Sequence, residues 1–157
     1  MSTMNNNPRL TALQTRMFQA KEERHLRFQD IGDRLGLDEI YIAALFYGQV
    51  KPTLEELEAL SEVLNIPLAH LKEEYGAHYF PDRGGLMSTP PTDPTLYRLY
   101  EILQVYGYPL KSVIHEKFGD GIMSAVDFTA TVDKVETEKG DRVKITLNGK
   151  FLPYNRW

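Results

Sequence analysis

A well-marked helix start followed by charge on a face that should be covered constrains this chain more than any other feature. In Pro90-Pro91-Thr92-Asp93-Pro94-Thr95-Leu96-Tyr97-Arg98-Leu99-Tyr100-Glu101, Asp93 is a good N-cap. Pro94 suits the first helical position, where a missing N–H costs nothing. Leu96, Leu99, Tyr100 and Leu103 recur at i, i+3, i+4 and i+7, the stripe of a helix packed on a core. Arg98 and Glu101 fall opposite that stripe, flanked by Ile102 and Val105. A helix apolar on both sides must be covered on both sides, so the pair is expected to be buried. Buried charges are costly unless paired or used.

The rest of the chain supplies little core to cover it. Beyond Gly121 the hydrophobic period changes to two. Val126, Phe128, Ala130 and Val132 alternate with polar residues, as do Val143, Ile145 and Leu147. Glu138-Lys139-Gly140-Asp141 reads as the turn between these runs and Asn148-Gly149 as a further hairpin turn. Upstream of the strands, two helices are expected, Thr95–Tyr106 and one begun by Pro109 and stopped at Gly119. A unit of roughly sixty residues so built has too small a core to stand alone and calls for other subunits.

The N-terminal half is helical by pattern. Leu10, Leu13, Met17 and Phe18 form one stripe. Phe28, Ile31 and Leu35 form a second, closed by Gly36. Ile40, Ala43, Ala44 and Tyr47 form a third, ended by Gly48. Thr53 and Glu56 have capping-box spacing before Leu57, Leu60 and Leu64. Pro67 opens a last short helix with Leu68 and Leu71. The fold class expected is therefore α+β. Its parts are a polar disordered tail over residues 1–8, an all-α domain over 9–76, a linker or arm over 77–94, and an α+β domain over 95–157.

Composition removes several classes. With 42% hydrophobic and 25% charged residues and a net charge of -4, the chain reads as a soluble protein and not as a generic polyanion binder. It has no cysteine, which excludes disulfides and thiolate chemistry. No apolar run is long enough to span a bilayer and no secretory leader is evident, so no membrane partner is expected and the cytoplasm is the expected location. His25, His70, His78 and His115 lack the spacing of metal ligands, and no metal is expected.

Phe28 to Leu45 has the layout of a helix-turn-helix. The would-be recognition helix opens with Asp38 and Glu39, where phosphates would approach, and carries no arginine. Those acids suit the helix dipole instead. The motif is read as a packing scaffold, with no nucleic-acid partner. In the C-terminal half, Arg98 and Glu101 taken alone are a salt-bridged pair or a charged site. Ser124, after Gly119-Asp120-Gly121, is either a turn serine or a hydroxyl facing an anion.

Thr92-Asp93-Pro94-Thr95, Tyr97-Arg98, Tyr100-Glu101, Leu103-Gln104-Val105-Tyr106-Gly107 and His115-Glu116-Lys117-Phe118-Gly119-Asp120-Gly121-Ile122 together resemble the signature of cyanases. The match continues through Ser124-Ala125 and Ile145-Thr146-Leu147 to Gly149-Lys150 and Leu152-Pro153. It covers the C-terminal half almost continuously and the N-terminal half more loosely. The resemblance implies a repressor-like helix-turn-helix bundle joined to a C-terminal dimerisation and catalytic domain with antiparallel strands. It implies bicarbonate-dependent decomposition of cyanate to carbamate and carbon dioxide, with Arg98, Glu101 and Ser124 as the active-site residues. No cofactor is implied, bicarbonate being a co-substrate. The implied assembly is a homodecamer of five dimers whose sites lie where dimers meet. The rival reading is a helix-turn-helix transcriptional regulator whose C-terminal half dimerises and senses a ligand.

Overall fold

The computed structural model describes residues 10–157, and the tail expected over residues 1–8 lies outside them. The chain divides into two compact units, residues 1–86 and 87–157.

The first unit holds five helices: α1 (Ala12–Glu23), α2 (Phe28–Leu35), α3 (Glu39–Phe46), α4 (Leu54–Leu64) and α5 (Leu68–Tyr75). Side-chain caps fix several of their starts. Thr53 accepts from the Glu56 N–H at 3.1 Å and the Glu56 carboxylate accepts from the Thr53 N–H at 3.0 Å, the capping box expected from sequence. A second box, Thr11 with Gln14, starts α1. Gly36 ends α2 at a left-handed φ of 70°, a conformation that disfavours a side chain, and the chain turns there into α3. The Asp38 carboxylate caps α3 by accepting from the Ile40 N–H at 2.8 Å.

Met17, Ile31, Ile42, Leu45, Phe46, Leu57, Leu60, Leu64 and Leu71 form the centre of a single core. The stripe expected on α3 was misplaced. Ile42, Leu45 and Phe46 are buried, not Ile40, Ala43, Ala44 and Tyr47. Apart from its first residue α3 is apolar all round, so periodicity carries no phase from which to choose a face. One buried polar contact crosses the core: Gln14 Nε2 donates to the Tyr75 hydroxyl at 2.9 Å. Burial pushes the Tyr75 hydroxyl's pKa well up, the Gln14 hydrogen bond opposing it.

Residues 77–86, within the stretch read as a linker or arm, are tied to the loop between α3 and α4. The Tyr79 hydroxyl donates to the Gly48 carbonyl at 2.8 Å, Lys51 Nζ donates to the Ala77 carbonyl at 2.9 Å, and the Gly84 N–H donates to Gln49 Oε1 at 2.8 Å.

The second unit has one helix, α6 (Pro94–Phe118), and two antiparallel strands, β1 (Gly121–Val135) and β2 (Arg142–Pro153). Asp93 caps α6 by accepting from the Leu96 N–H at 3.0 Å, and Pro94 is the first helical residue. The two helices expected here are one, with Pro109 inside it. Pro109 removes a single helical N–H donor, whereas a break would leave a further set of N–H and C=O groups unpaired at two new helix ends. Gly119 ends the helix, as expected. The turn between the strands lies at residues 136–141, where the Gly140 N–H donates to the Thr137 carbonyl at 3.1 Å. Asn148-Gly149 is not a turn. Both residues lie within β2, paired with Thr129 and Phe128.

The two units differ in how they bury apolar surface. Every residue of the core cluster lies between Met17 and Tyr75, and α6 buries none of its 25 residues within the chain. Leu71→Ala, at a fully buried position, is expected to destabilise the helical unit by about 2–5 kcal/mol. The same change at Leu54, which is 52% exposed, should cost far less. Urea unfolding followed by helical circular dichroism would compare them.

Candidate active site

Helix geometry brings two of the three expected site residues together. Arg98 and Glu101 lie one turn apart in the N-terminal part of α6, and Arg98 Nη1 donates to Glu101 Oε2 at 2.5 Å. This hydrogen bond and the carboxylate's charge raise the arginine pKa. The guanidinium is a planar fork of five N–H donors, and only Nη1 is engaged by Glu101. The remaining edge is available to a second anionic partner. Burial is expected for this pair, and the single chain by itself does not provide it. The side chains are 75% and 41% exposed, because no element of the same unit lies over that face.

Ser124 is set up differently. The two strands lose register between Met123 and Phe128, and Ser124 lies in that irregular stretch of β1, not in the turn after α6. It is one of the two buried polar residues of the described chain, 6% exposed. Its Oγ accepts from the Val126 N–H at 3.0 Å and from the Asp127 N–H at 2.9 Å. A hydroxyl has two acceptor sites and one proton. With both acceptor sites occupied by backbone donors, the proton is the group left to offer. The serine therefore satisfies backbone groups, as a turn serine does, and is thereby oriented as a donor.

Among the described residues, no hydrogen bond or ion pair joins Ser124 to Arg98 or Glu101. The two groups enter from opposite ends of α6, Arg98 near its start and Ser124 beyond its far end. At ~1.5 Å per residue, Arg98 lies about 30 Å from the far end of α6. Six Cα-to-Cα steps lead from Phe118 to Ser124 and can span at most about 20 Å. The helix end is held to β2, by Phe118 stacked on Phe151 with ring centroids 5.0 Å apart and by the Tyr154 N–H donating to the Asp120 carbonyl at 3.3 Å.

Around the Arg98–Glu101 pair and around Ser124 the surface is apolar. Leu99, Ile102, Leu103, Val105 and Tyr106 are exposed on α6, and Val126, next but one to Ser124, is 97% exposed. Contiguous apolar surface on this scale marks an interaction face. Among the described residues, no group of three or more His, Cys, Asp or Glu is arranged to hold a metal ion, and no helix is long and apolar enough to cross a membrane.

A helix-turn-helix bundle followed by a helix-and-hairpin unit whose long helix is left uncovered defines a specific class of two-domain protein. The family model described as the cyanate lyase C-terminal domain matches residues 88–156, and a helix-turn-helix model matches residues 19–71. The cyanate hydratase of Mycosarcoma maydis is 57% identical over 139 residues, 88% of this chain and 85% of that one. The cyanate hydratase of Prochlorococcus marinus is 55% identical over 141 residues, 90% of this chain and 94% of that one. The crystal structure of cyanase from T. urticae superposes with a TM-score of 0.76 at 32% identity, covering 90% of this chain and 96% of that one. The chain belongs to the cyanate hydratase family.

The buried acceptor role of Ser124 predicts a local readout. In Ser124→Ala the amides of Val126 and Asp127 lose their acceptor, and mass-spectrometric hydrogen exchange should show that peptide exchanging faster than in the parent. Unchanged exchange would mean that the hydroxyl does not hold this stretch of β1.

Proposed function

We propose that this protein decomposes cyanate in a bicarbonate-dependent reaction. Bicarbonate oxygen attacks the cyanate carbon, and the adduct takes up a proton from water and rearranges to carbamate and carbon dioxide. The carbamate then takes up a second proton and breaks down to ammonia and a second carbon dioxide. The observation that supports this most strongly is the combination of an arginine with an unengaged edge and a buried, donor-oriented serine in a member of this family.

Two small anions must meet, and electrostatics sets the main difficulty. Two unit charges 4 Å apart repel by about 1 kcal/mol in water and several-fold more at lower dielectric. The free edge of Arg98 binds carboxylate-like oxygens through parallel N–H bonds, which a lysine cannot reproduce. Glu101 orients the guanidinium; facing the anions directly, it would repel them. The Ser124 hydroxyl donates to charge that develops as the adduct forms. No protein nucleophile is needed, because bicarbonate supplies it, and the reaction calls for no cofactor. The protein's share is proximity and preorganised charge stabilisation, of which positioning can supply roughly 7–11 kcal/mol.

The site is shared between chains. Arg98 and Glu101 of one subunit meet Ser124 of another, within a homodecamer of five dimers that covers the apolar faces of α6 and the hairpin. This assembly supports dry, low-dielectric binding, which a lone chain with Arg98 75% exposed does not offer. The N-terminal unit serves as a scaffold in this cytoplasmic enzyme and does not read DNA. Asp38 spends its carboxylate on capping α3, and the net charge of -4 opposes phosphate binding.

Purified protein should release ammonia from cyanate when bicarbonate is present and not when it has been removed. Arg98→Lys should lose most of that activity, and Ser124→Ala about 10²–10³-fold. Ammonia release that ignores bicarbonate, or parent rates in both variants, would contradict the proposal.

A further inference from the structure

The loss of register in the hairpin has an unequal form. Met123 pairs with Phe151 and Phe128 with Gly149, so Ser124, Ala125, Val126 and Asp127 stand opposite Lys150 alone. Gly149 borders that excursion from the β2 side. A methyl group built on it would stand 2.3 Å from the Ser124 carbonyl oxygen, 2.5 Å from Met123 Cγ and 3.3 Å from Met123 Sδ. The first of these neighbours is backbone, so no change of rotamer relieves the collision. Glycine inside a strand often marks such a close approach of another backbone.

From this contact we infer that Gly149 is a positioning residue for Ser124. The bare backbone of β2 lies directly against the Ser124 peptide and leaves it one available position. That position is the one in which the Val126 and Asp127 N–H groups reach Oγ at 3.0 and 2.9 Å and the hydroxyl proton is left to be donated. A side chain at residue 149 displaces the Ser124 peptide, loosens those two bonds, and returns the hydroxyl to a rotor that no longer presents its proton. Gly149 touches no anion and acts only through Ser124. The inference rests on the reading of Ser124 as the donor to developing negative charge.

The test is a double-mutant cycle on the full-length assembled protein, read as cyanate decomposition at saturating bicarbonate. Gly149→Ala should lower kcat by about 10²-fold, the scale of losing one such donor. It should sediment like the parent and show faster hydrogen exchange at the Val126 and Asp127 amides. In a Ser124→Ala background the same change should add almost nothing, because both substitutions remove one interaction. A general loss of stability would instead multiply with Ser124→Ala.

A second variant separates the two halves of the collision. Met123→Ala with Gly149→Ala removes the side-chain contact, keeps the backbone one, and should retain the kcat loss. The inference is overturned by a parent kcat in Gly149→Ala, by losses that multiply across the cycle, or by failure of both Gly149 variants to assemble. That last result would make Gly149 a requirement of the fold. Ser124→Ala with parent activity would defeat the reading of the site itself. A crippled Ser124→Ala beside a fully active Gly149→Ala would defeat only the role of Gly149.

Discussion

A helix of 25 residues that buries none of its side chains within its own chain, yet carries Leu96, Leu99, Leu103, Val105 and Tyr106 exposed, leaves much apolar surface in water. Covering what remains exposed of each such side chain contributes roughly 1 kcal/mol, and together they favour a covering partner. The first unit has no comparable need, since its helices close on one core. This asymmetry assigns the roles. The helical unit folds around its own centre, and in the proposed assembly the helix-and-hairpin unit gains stability from association. In the proposed assembly the surface that drives association is also the surface that holds the functional groups.

The same uncovered state accounts for the electrostatics of the site. An exposed Arg98–Glu101 pair is worth little to stability, and an arginine in open water binds small anions weakly. Covered by another subunit, the pair would lie at lower dielectric, where the guanidinium attracts anions more strongly and Glu101 keeps it from being an unpaired buried charge. Ser124 needs no partner chain to be ordered, because two backbone N–H groups hold its oxygen. One half of the proposed site is thus preorganised within the chain, and the other half is completed by assembly.

Local rules carried much of the fold, and they failed where tertiary structure outweighed them. The Thr53–Glu56 box, the Asp93–Pro94 helix start and the Gly36 turn are all set by groups within four residues of one another, so the sequence displays them directly. The face of α3 was not legible, because a helix apolar on nearly every side has no phase. Pro109 suggested a helix boundary, but one lost donor costs less than two new ends. Asn148-Gly149 carried a turn signal whose actual cause is distant in sequence, the Ser124 backbone lying against Gly149. The proposed site residues stand out in the sequence only through family resemblance, since an i, i+3 ion pair and a serine after glycines are common. That the Ser124 oxygen is saturated by N–H donors could be seen only in three dimensions.

The central claim is that no single chain contains a complete site. Arg98→Ala and Ser124→Ala chains, each inactive alone, should be unfolded, mixed and refolded together, and the assembled product assayed for ammonia release from cyanate with bicarbonate. A shared site predicts that part of the parent activity returns, because some interfaces pair an intact Ser124 with an intact Arg98 and Glu101. Mixed assemblies of parent size that remain inactive would contradict it and place all three residues of each site on one chain.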